Sequence, residues 1–526
     1  MRKPLGAQIS HMLSDHGVEV IFGVPGVHNQ EMYRGIDEAG IRHVLARHEQ
    51  GAGFMADGYA RATGQPGVAY VITGPGLTNI MTAMGQAYSD SVSMLVLSSC
   101  LDEVDAQRGQ LHQMKDQRAA AETVADWSVQ CATPASTYRM IERAFEEFEL
   151  ERPRPKHIQV TRGALEAVAD PAAPPAMPAM RATSGAPDVA PVVSLLGMAK
   201  RPLFILGGGA QKVLWRDVLE PLGIATFTTI AGAGAVGLDY ALDFGSSLAR
   251  GSSADVIGSA DLVVAIGTEL AEVDLWRDHL GHTASLVRVD LDPEVLADEH
   301  AAQIKLCNDA ESFARAFWDA TKDRPAATGW DAAEVQTARQ RWRSEVEMER
   351  PGIVAICDAL RAAVPLDAMI YSDMTQFAYV ANEVWPMSRP RHWHHPAGFG
   401  TLGYALPAAI GGAVARPGKP TLAIAGDYGF HYTLQELGVA VELGLPLPIL
   451  LWDNARLKEI EESMERAQIA PFAVAAKNPD FCKLAEAFGA ASVAPTTLEA
   501  LQEALKAAFV ADGPTLIYMT PALTQG

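Results

Sequence analysis

Two apolar runs in the chain end on polar residues. "TLAIAGD" stops at Asp427 and "LPILLWDN" stops at Asn454, with the helix-spaced "TLQELGVAVELG" between them. A carboxylate and an amide oxygen are hard ligands suited to Mg²⁺, which takes few protein groups and completes its shell with waters and substrate phosphates. Asp and Asn also cap loops after strands, so on these residues alone a structural role is as good a reading. Glycine-rich turns form a second set: "FGVPG" over residues 22–26, "TGPG" over 73–76 and "GGG" over 207–209. Each permits close approach of backbone to a ligand. None completes the GxGxxG pattern of a dinucleotide site. Third is Glu49 in "RHEQGAGFMADGYARATG", at the start of a helix-like run where the helix dipole alone would favour an acid. Fourth, "HHPAGFGTLGYALPAAIGGAVA" puts small residues ahead of a helix beginning near Gly403. Its amides could face a phosphate or a ring; small residues would equally serve packing.

These residues need elements to hold them. Strand, helix and strand from Asp427 to Asn454 make a βαβ unit, and a right-handed crossover sets its strands parallel. Both polar residues then lie at the carboxyl edge, where open α/β sheets bind ligands. Residues 1–168 alternate similarly, with strands in "VEVIFG", "GVAYVITG" and "SMLVLSS". The Pro/Ala-rich stretch over 169–190 reads as a linker. A second α/β segment, 191–325, carries "PLFILGGGA", "GIATFTTIAG", "DLVVAIGTEL" and "SLVRVDLDP", and a polar, helix-prone connection covers 326–350. The last segment, 351–526, repeats the alternation with "AMIYSDM", "PTLAIAGD", "LPILLWDN" and "PTLIYMT". The expected fold class is α/β: three domains, each a mainly parallel sheet flanked by helices. The outer two are similar in length and pattern, which points to a duplicated unit.

The chain's 526 residues suit about three domains. A formal charge of −21 argues against nucleic acid and anionic membrane as partners. It leaves room for a phosphate ligand, because backbone amides and a metal act locally. Cys100, Cys131, Cys307, Cys357 and Cys482 show no metal-ligand spacing, which suggests a reducing compartment. No signal-peptide run opens the chain; Leu5, Ile9, Met12 and Leu13 share a helical face instead. With no apolar run of membrane-spanning length, a cytoplasmic protein is expected.

Taken together, "VEVIFGVPG", "RHEQGAGFMADGYARATGQPGVAYVITGPGLTNIMTAMGQAYSD", "FGTLGYALPAAIGGA" and the Asp427–Asn454 stretch closely resemble, in order, the thiamine-diphosphate enzymes of the acetolactate synthase and 2-oxo acid decarboxylase superfamily. The resemblance covers nearly the whole chain, including a Rossmann-like central domain. It implies thiamine diphosphate and Mg²⁺ as cofactors, with Asp427, Asn454 and the Arg456 carbonyl as metal ligands. The family pattern GDG…NN reads GDY…DN here: the two ligand positions are intact, while Tyr428 and Asp453 depart from it. Gly426, Tyr428 and Gly429 would surround the diphosphate. Met374, Thr375 and Gln376 in "SDMTQFA" would meet it from the other side, and Phe377 stands where relatives often have His. Pro25, Gly400 and Thr401 match further cofactor contacts, and Leu402 matches the bulky residue that keeps the cofactor bent. Glu49 matches the catalytic glutamate, which acts on the aminopyrimidine so that the cofactor can lose its C2 proton. Glu49 would reach cofactor held by a second subunit, so a homodimer is the least assembly expected and a homotetramer is common. Glu269 stands where several flavin-binding relatives have a basic residue, and no FAD is expected.

The substrate is a 2-oxo acid by the same resemblance. Aligned on Trp127, His112 and Gln113 fall at positions that steer the acceptor or a proton, and His28 lies just past a glycine turn near the same site. Glu459, with Ile460 beside it, falls at a substrate-facing position, and an acid there would suit a guanidinium tail. Glu459, Glu461 and Glu462 could equally form a solvated helix face. "EI…M…PDF" and "GTELAEVD" look similar to the 2-ketoarginine decarboxylase branch, which ranks first. An acetolactate synthase-like carboligase is the alternative, and a non-catalytic cofactor-binding homologue is the alternative of another class.

Overall fold

Three parallel sheets follow one another along the chain in a computed structural model that describes residues 1–103, 109–175 and 187–524. The first sheet runs, edge to edge, Arg42–Leu45, Val20–Gly23, Gly67–Val71, Met94–Cys100, Lys156–Thr161 and Trp127–Cys131. The second holds five strands between Pro202 and Cys307. The third runs Trp393–His394, Met369–Ser372, Thr421–Gly426, Pro448–Trp452, Thr515–Met519 and Ala491–Val493. Every pairing within these three sheets is parallel. Their central strands are buried on both faces, which is why they read as continuous apolar runs rather than alternating ones.

Strands numbered in chain order within each outer sheet give the same sequence, 2-1-3-4-6-5. The duplication suggested by the sequence is therefore one of topology. Equivalent helices follow the second strand of each sheet: Glu49–Thr63 in the first domain and Ala405–Ala415 in the third. These two pack directly on each other. A Cβ on Gly58 would lie 2.0 Å from the Ala408 carbonyl oxygen, and one on Gly411 would lie 1.9 Å from that of Met55. Only glycine allows backbones so close. Phe54, Met55, Tyr404, Leu406 and Ile410 join both outer sheets into one apolar core. Buried within the contact, Asp57 accepts from Arg61 Nε and the Tyr404 hydroxyl, both at 2.6 Å, and Arg61 also reaches Asp90 at 2.8 Å. Losing one partner of such a buried set typically costs about 3–5 kcal/mol. The central domain has apolar clusters of its own.

Between the second and third sheets the polar stretch forms the helix Ala332–Glu349. Residues 170–175 are irregular; residues 176–186 of the proposed linker lie outside the described residues. The segment between Asp427 and Asn454 is not one helix: Asp427–Thr433 and Leu437–Glu442 are separated by a tighter turn at Leu434–Glu436. Among the described residues no helix is long and apolar enough to cross a membrane.

Candidate active site

The carboxyl edge of the third sheet gathers most of the expected cofactor residues. Asp373 ends the first strand and leads into Met374, Thr375 and Gln376; Gly400–Leu402 follow the second; Gly426 and Asp427 end the third; Asp453 and Asn454 follow the fourth. Asp427 opens its helix and is buried; its Oδ2 accepts from Asn478 Nδ2 at 2.7 Å, and the same nitrogen reaches Asp453 Oδ1 at 2.8 Å. Burial, with the Asp453 carboxylate beside it, raises the Asp427 pKa against the opposing pull of Asn478. Asn454 Oδ1 accepts from the Arg456 amide at 3.1 Å, and its Nδ2 lies 3.5 Å from Gln376 Oε1. The Arg456 side chain bonds to Glu461.

This donor set fits a divalent cation. Two carboxylates sharing one hydrogen-bond donor concentrate negative charge that a cation would offset, and the Asn454 oxygen keeps a second lone pair. Asp427, Asn454 and a backbone carbonyl supply the hard oxygens that Mg²⁺ prefers. The surrounding loops could cradle a diphosphate. Gly400 has φ 66° and is exposed, its amide given to the Pro396 carbonyl at 3.1 Å; Thr375 and Thr401 are buried, and Met374, Gln376, Leu402 and Tyr428 are half-buried. A Cβ on Gly429 would sit 2.7 Å from Asp373 Oδ2.

Asp373 was not singled out by sequence reasoning, although it stands in the quoted "SDMTQFA". Its Oδ1 accepts from the Met374 amide at 2.8 Å and its Oδ2 from Gly403 at 2.9 Å; the amides of Tyr404 and Ala405 also donate. Burial pushes its carboxyl up to about 6 against those four amides. It therefore ties the Met374–Gln376 loop to the start of the Ala405–Ala415 helix. The signal was the one used for Asp427, an acid ending an apolar strand.

The first sheet presents the second half at its own carboxyl edge. Glu49 is the first residue of its helix and is buried; His48 caps that helix by accepting the Gln50 amide at 3.1 Å. Asn79, a residue no motif points to, donates to Glu49 Oε2 at 2.9 Å. His28 and His112 meet edge to face with centroids 4.9 Å apart. The Nδ1 of each is buried and lacks a hydrogen-bond partner among the described residues. Burial first, then Arg162 and His112, lowers the His28 pKa, which favours the neutral ring. His112 adopts φ 64°, and its carbonyl packs on Gly74 of the "TGPG" turn. That turn is fixed by Gln117, whose Oε1 accepts from Gly74 at 2.9 Å. Gln113 accepts from the Gln110 amide at 3.1 Å. Pro25 is exposed beside His28.

Glu459 is not a free acid. Its carboxylate takes Arg350 at 2.8 Å and Arg466 at 3.4 Å, while Ile460 next to it is exposed. Glu461 bonds Arg456 and Lys458. Glu269 in the central domain pairs with Arg152 and Arg154.

Family models match in the same order as the sheets. The N-terminal TPP binding domain of thiamine pyrophosphate enzymes matches residues 4–120, their central domain 189–317, and their C-terminal TPP binding domain 373–519. A probable 2-ketoarginine decarboxylase of Pseudomonas aeruginosa is 41% identical over 534 residues, spanning 99% of this chain and 94% of that protein. The chain belongs to the thiamine pyrophosphate enzyme family. Thiamine pyrophosphate is thiamine diphosphate under its other name. The acetolactate synthase isozyme 2 large subunit of Escherichia coli is 28% identical over 98% of the chain and 95% of its own length. The acetolactate synthase large subunit of Corynebacterium glutamicum is 29% identical over 97% and 85%. The family expectation drawn from four sequence motifs therefore holds, as does the three-sheet architecture.

Proposed function

We propose that the protein is a Mg²⁺- and thiamine-diphosphate-dependent 2-oxo acid decarboxylase whose substrate is 2-ketoarginine. One observation carries the reaction class: a buried carboxylate, Glu49, and an acid–amide pair, Asp427 and Asn454, stand at the carboxyl edges of two topologically equivalent sheets. The choice of substrate rests on the 41% identity to the Pseudomonas aeruginosa protein over nearly its whole length.

In this reading Asp427, Asn454 and the Arg456 carbonyl hold the ion, and Met374, Thr375, Gln376, Gly400, Thr401, Gly426, Tyr428 and Gly429 surround the diphosphate. Pro25 and Leu402 border the rings. The bound cofactor supplies an electron sink for the pair left when CO₂ departs. Glu49 holds and returns a proton at the aminopyrimidine, kept in register by Asn79. His28, His112 and Gln113 face the substrate, and two buried ring nitrogens with no protein partner among the described residues suit proton delivery to the decarboxylated product. Glu459 already binds two guanidinium groups of the chain itself. The Arg466 contact is long and exposed, so a guanidinium tail could take its place.

The likeness of Glu49 to the family's catalytic glutamate, which reaches cofactor held by another subunit, supports a homodimer or homotetramer. Five free cysteines support a reducing, cytoplasmic setting. The division into 1–168, 191–325 and 351–526, joined by 169–190 and 326–350, belongs to the same reading.

The test is CO₂ release from a panel of 2-oxo acids with Mg²⁺ and thiamine diphosphate. Preference for 2-ketoarginine over pyruvate is expected. Acetolactate formed from pyruvate would favour the carboligase reading, which the likeness to acetolactate synthases supports. Cofactor binding with no release from any acid would favour a non-catalytic homologue.

A further inference from the structure

Glu436 is a glutamate of the third domain with no exposed surface, and the chemistry assigned above leaves it unused. It lies in the tight turn that interrupts the Asp427–Glu442 segment. Its carboxylate reaches into the first domain, where the Arg47 amide donates to both oxygens, at 3.2 and 3.1 Å, and the His48 amide donates as well. These are the two residues immediately before Glu49. Gly51, on the first turn of the same helix, leaves the space for it: a Cβ there would lie 2.4 Å from Glu436 Oε1.

A carboxylate buried this deeply is costly unless its oxygens are satisfied. Here backbone amides at a helix start satisfy it, where the positive end of the helix dipole adds attraction. The Arg47 guanidinium turns outward, to Glu442 and the Leu45 carbonyl, and gives Glu436 no side-chain hydrogen bond. The equivalent helix in the third domain is capped by an acid of its own domain, Asp373. The Glu49 helix takes its acid from the opposite domain. We propose that Glu436 is a positioning residue for the decarboxylation: it fixes the start of the Glu49 helix, and so the Glu49 carboxyl, relative to the third domain.

The proposal rests on the role given to Glu49 above. The charged groups facing Glu436 are Arg47 and Glu49; the His48 ring is occupied by the Gln50 amide. A displaced Arg47–Glu49 turn would leave the Glu49 carboxyl out of register with its proton partner, so the loss should appear in kcat rather than in substrate binding.

The experiment compares Glu436→Gln, Glu436→Asp and Glu49→Gln in the full-length, Mg²⁺- and cofactor-loaded protein. Glu436→Gln is expected to lower kcat by about tenfold or more, the scale of a misplaced catalytic group, with KM nearly unchanged. Its affinity for thiamine diphosphate should stay close to the parent's. Glu436→Asp keeps the acid but shortens its reach to the Arg47 and His48 amides, so kcat should fall here too, with KM and cofactor affinity retained. Where the Gln variant does not fold, the Asp variant decides: a parental kcat in folded Glu436→Asp overturns the proposal. A parental kcat in folded Glu436→Gln, with Glu49→Gln inactive, overturns it while leaving the role of Glu49 standing. An active Glu49→Gln removes that role itself.

Discussion

Asp427 and Asp453 share one donor, the Asn478 side-chain nitrogen, at 2.7 and 2.8 Å. Tyr518 and the Ala455 amide complete the partners of Asp453, at 2.9 and 2.8 Å. Where the family pattern carries an amide, this chain has a second acid beside Asp427, the proposed metal ligand. Asp453 has donors on both oxygens, which leaves Asp427 as the acid free to take an ion.

Removal of the ion tests this. Dialysis against a chelator should abolish CO₂ release and weaken binding of thiamine diphosphate, and Mg²⁺ should restore both. Asn454→Ala should raise the Mg²⁺ requirement by about tenfold or more, because a ligand is lost. Titration calorimetry with Mg²⁺ reads this directly; unchanged affinity would remove Asn454 from the ligand set.

Asp373→Asn places an amide NH₂ or a lone carbonyl before four backbone donors. The expected loss is about 1–3 kcal/mol of stability for the donors left unpaired. Weaker cofactor binding should accompany it, since the Met374–Gln376 loop loses its anchor. Chemical denaturation and cofactor titration check both effects; a variant as stable as its parent would show that the loop is held by other contacts.

Two buried acids make stability depend on pH. Burial pushes Asp373 up to about 6 and Glu436 up to about 7, both above the unfolded value of about 4. A raised carboxyl pKa means the folded state holds the proton more tightly. Its contribution is complete below about pH 4 and lost as pH rises through 6 to 7. The melting temperature of the cofactor-free protein should therefore carry a downward component across that window. Glu436→Gln should flatten its upper part, as read by thermal scans at fixed ionic strength; identical slopes would contradict the assignment.

The guanidinium reading of Glu459 predicts opposite effects for two neighbours. Glu459→Gln should raise KM for 2-ketoarginine by about tenfold or more, the scale of a hydrogen bond to a charged group, while leaving pyruvate little changed. Arg466→Ala removes a competitor and should lower that KM by about two- to fivefold, the range of an exposed ion pair. Equal changes for both substrates would sink the charge-pairing idea.

Asn79→Ala tests the support of Glu49. Loss of the 2.9 Å bond should reduce kcat by about three- to tenfold, with cofactor affinity retained. A parental kcat would mean that Glu49 is held by its helix alone.

Much of this was readable in advance. Apolar runs ending at Asp427 and Asn454 announced two parallel strands, because a buried strand has no polar face to interrupt it. Strands Arg42–Leu45 and Trp127–Cys131 escaped notice. They lie at the sheet edges and are only partly buried, so their apolar signal is diluted. The partners Asn79, Asn478 and Glu436 follow no short spacing rule: the two asparagines act 25 to 51 residues along the chain within their own domains, and Glu436 acts across two domains. Glu459 was legible as an acid in the right place. Its engagement with Arg350 was not, because that arginine comes from the end of the connecting helix.

The glycine-lined contact between the helices Glu49–Thr63 and Ala405–Ala415 also bears on protein engineering. Chimaeras that exchange one outer domain for a relative's would join two surfaces whose backbones touch without side chains between them. A methyl group on either side is enough to spoil that fit. Recombination points are therefore best chosen so that both outer domains travel together.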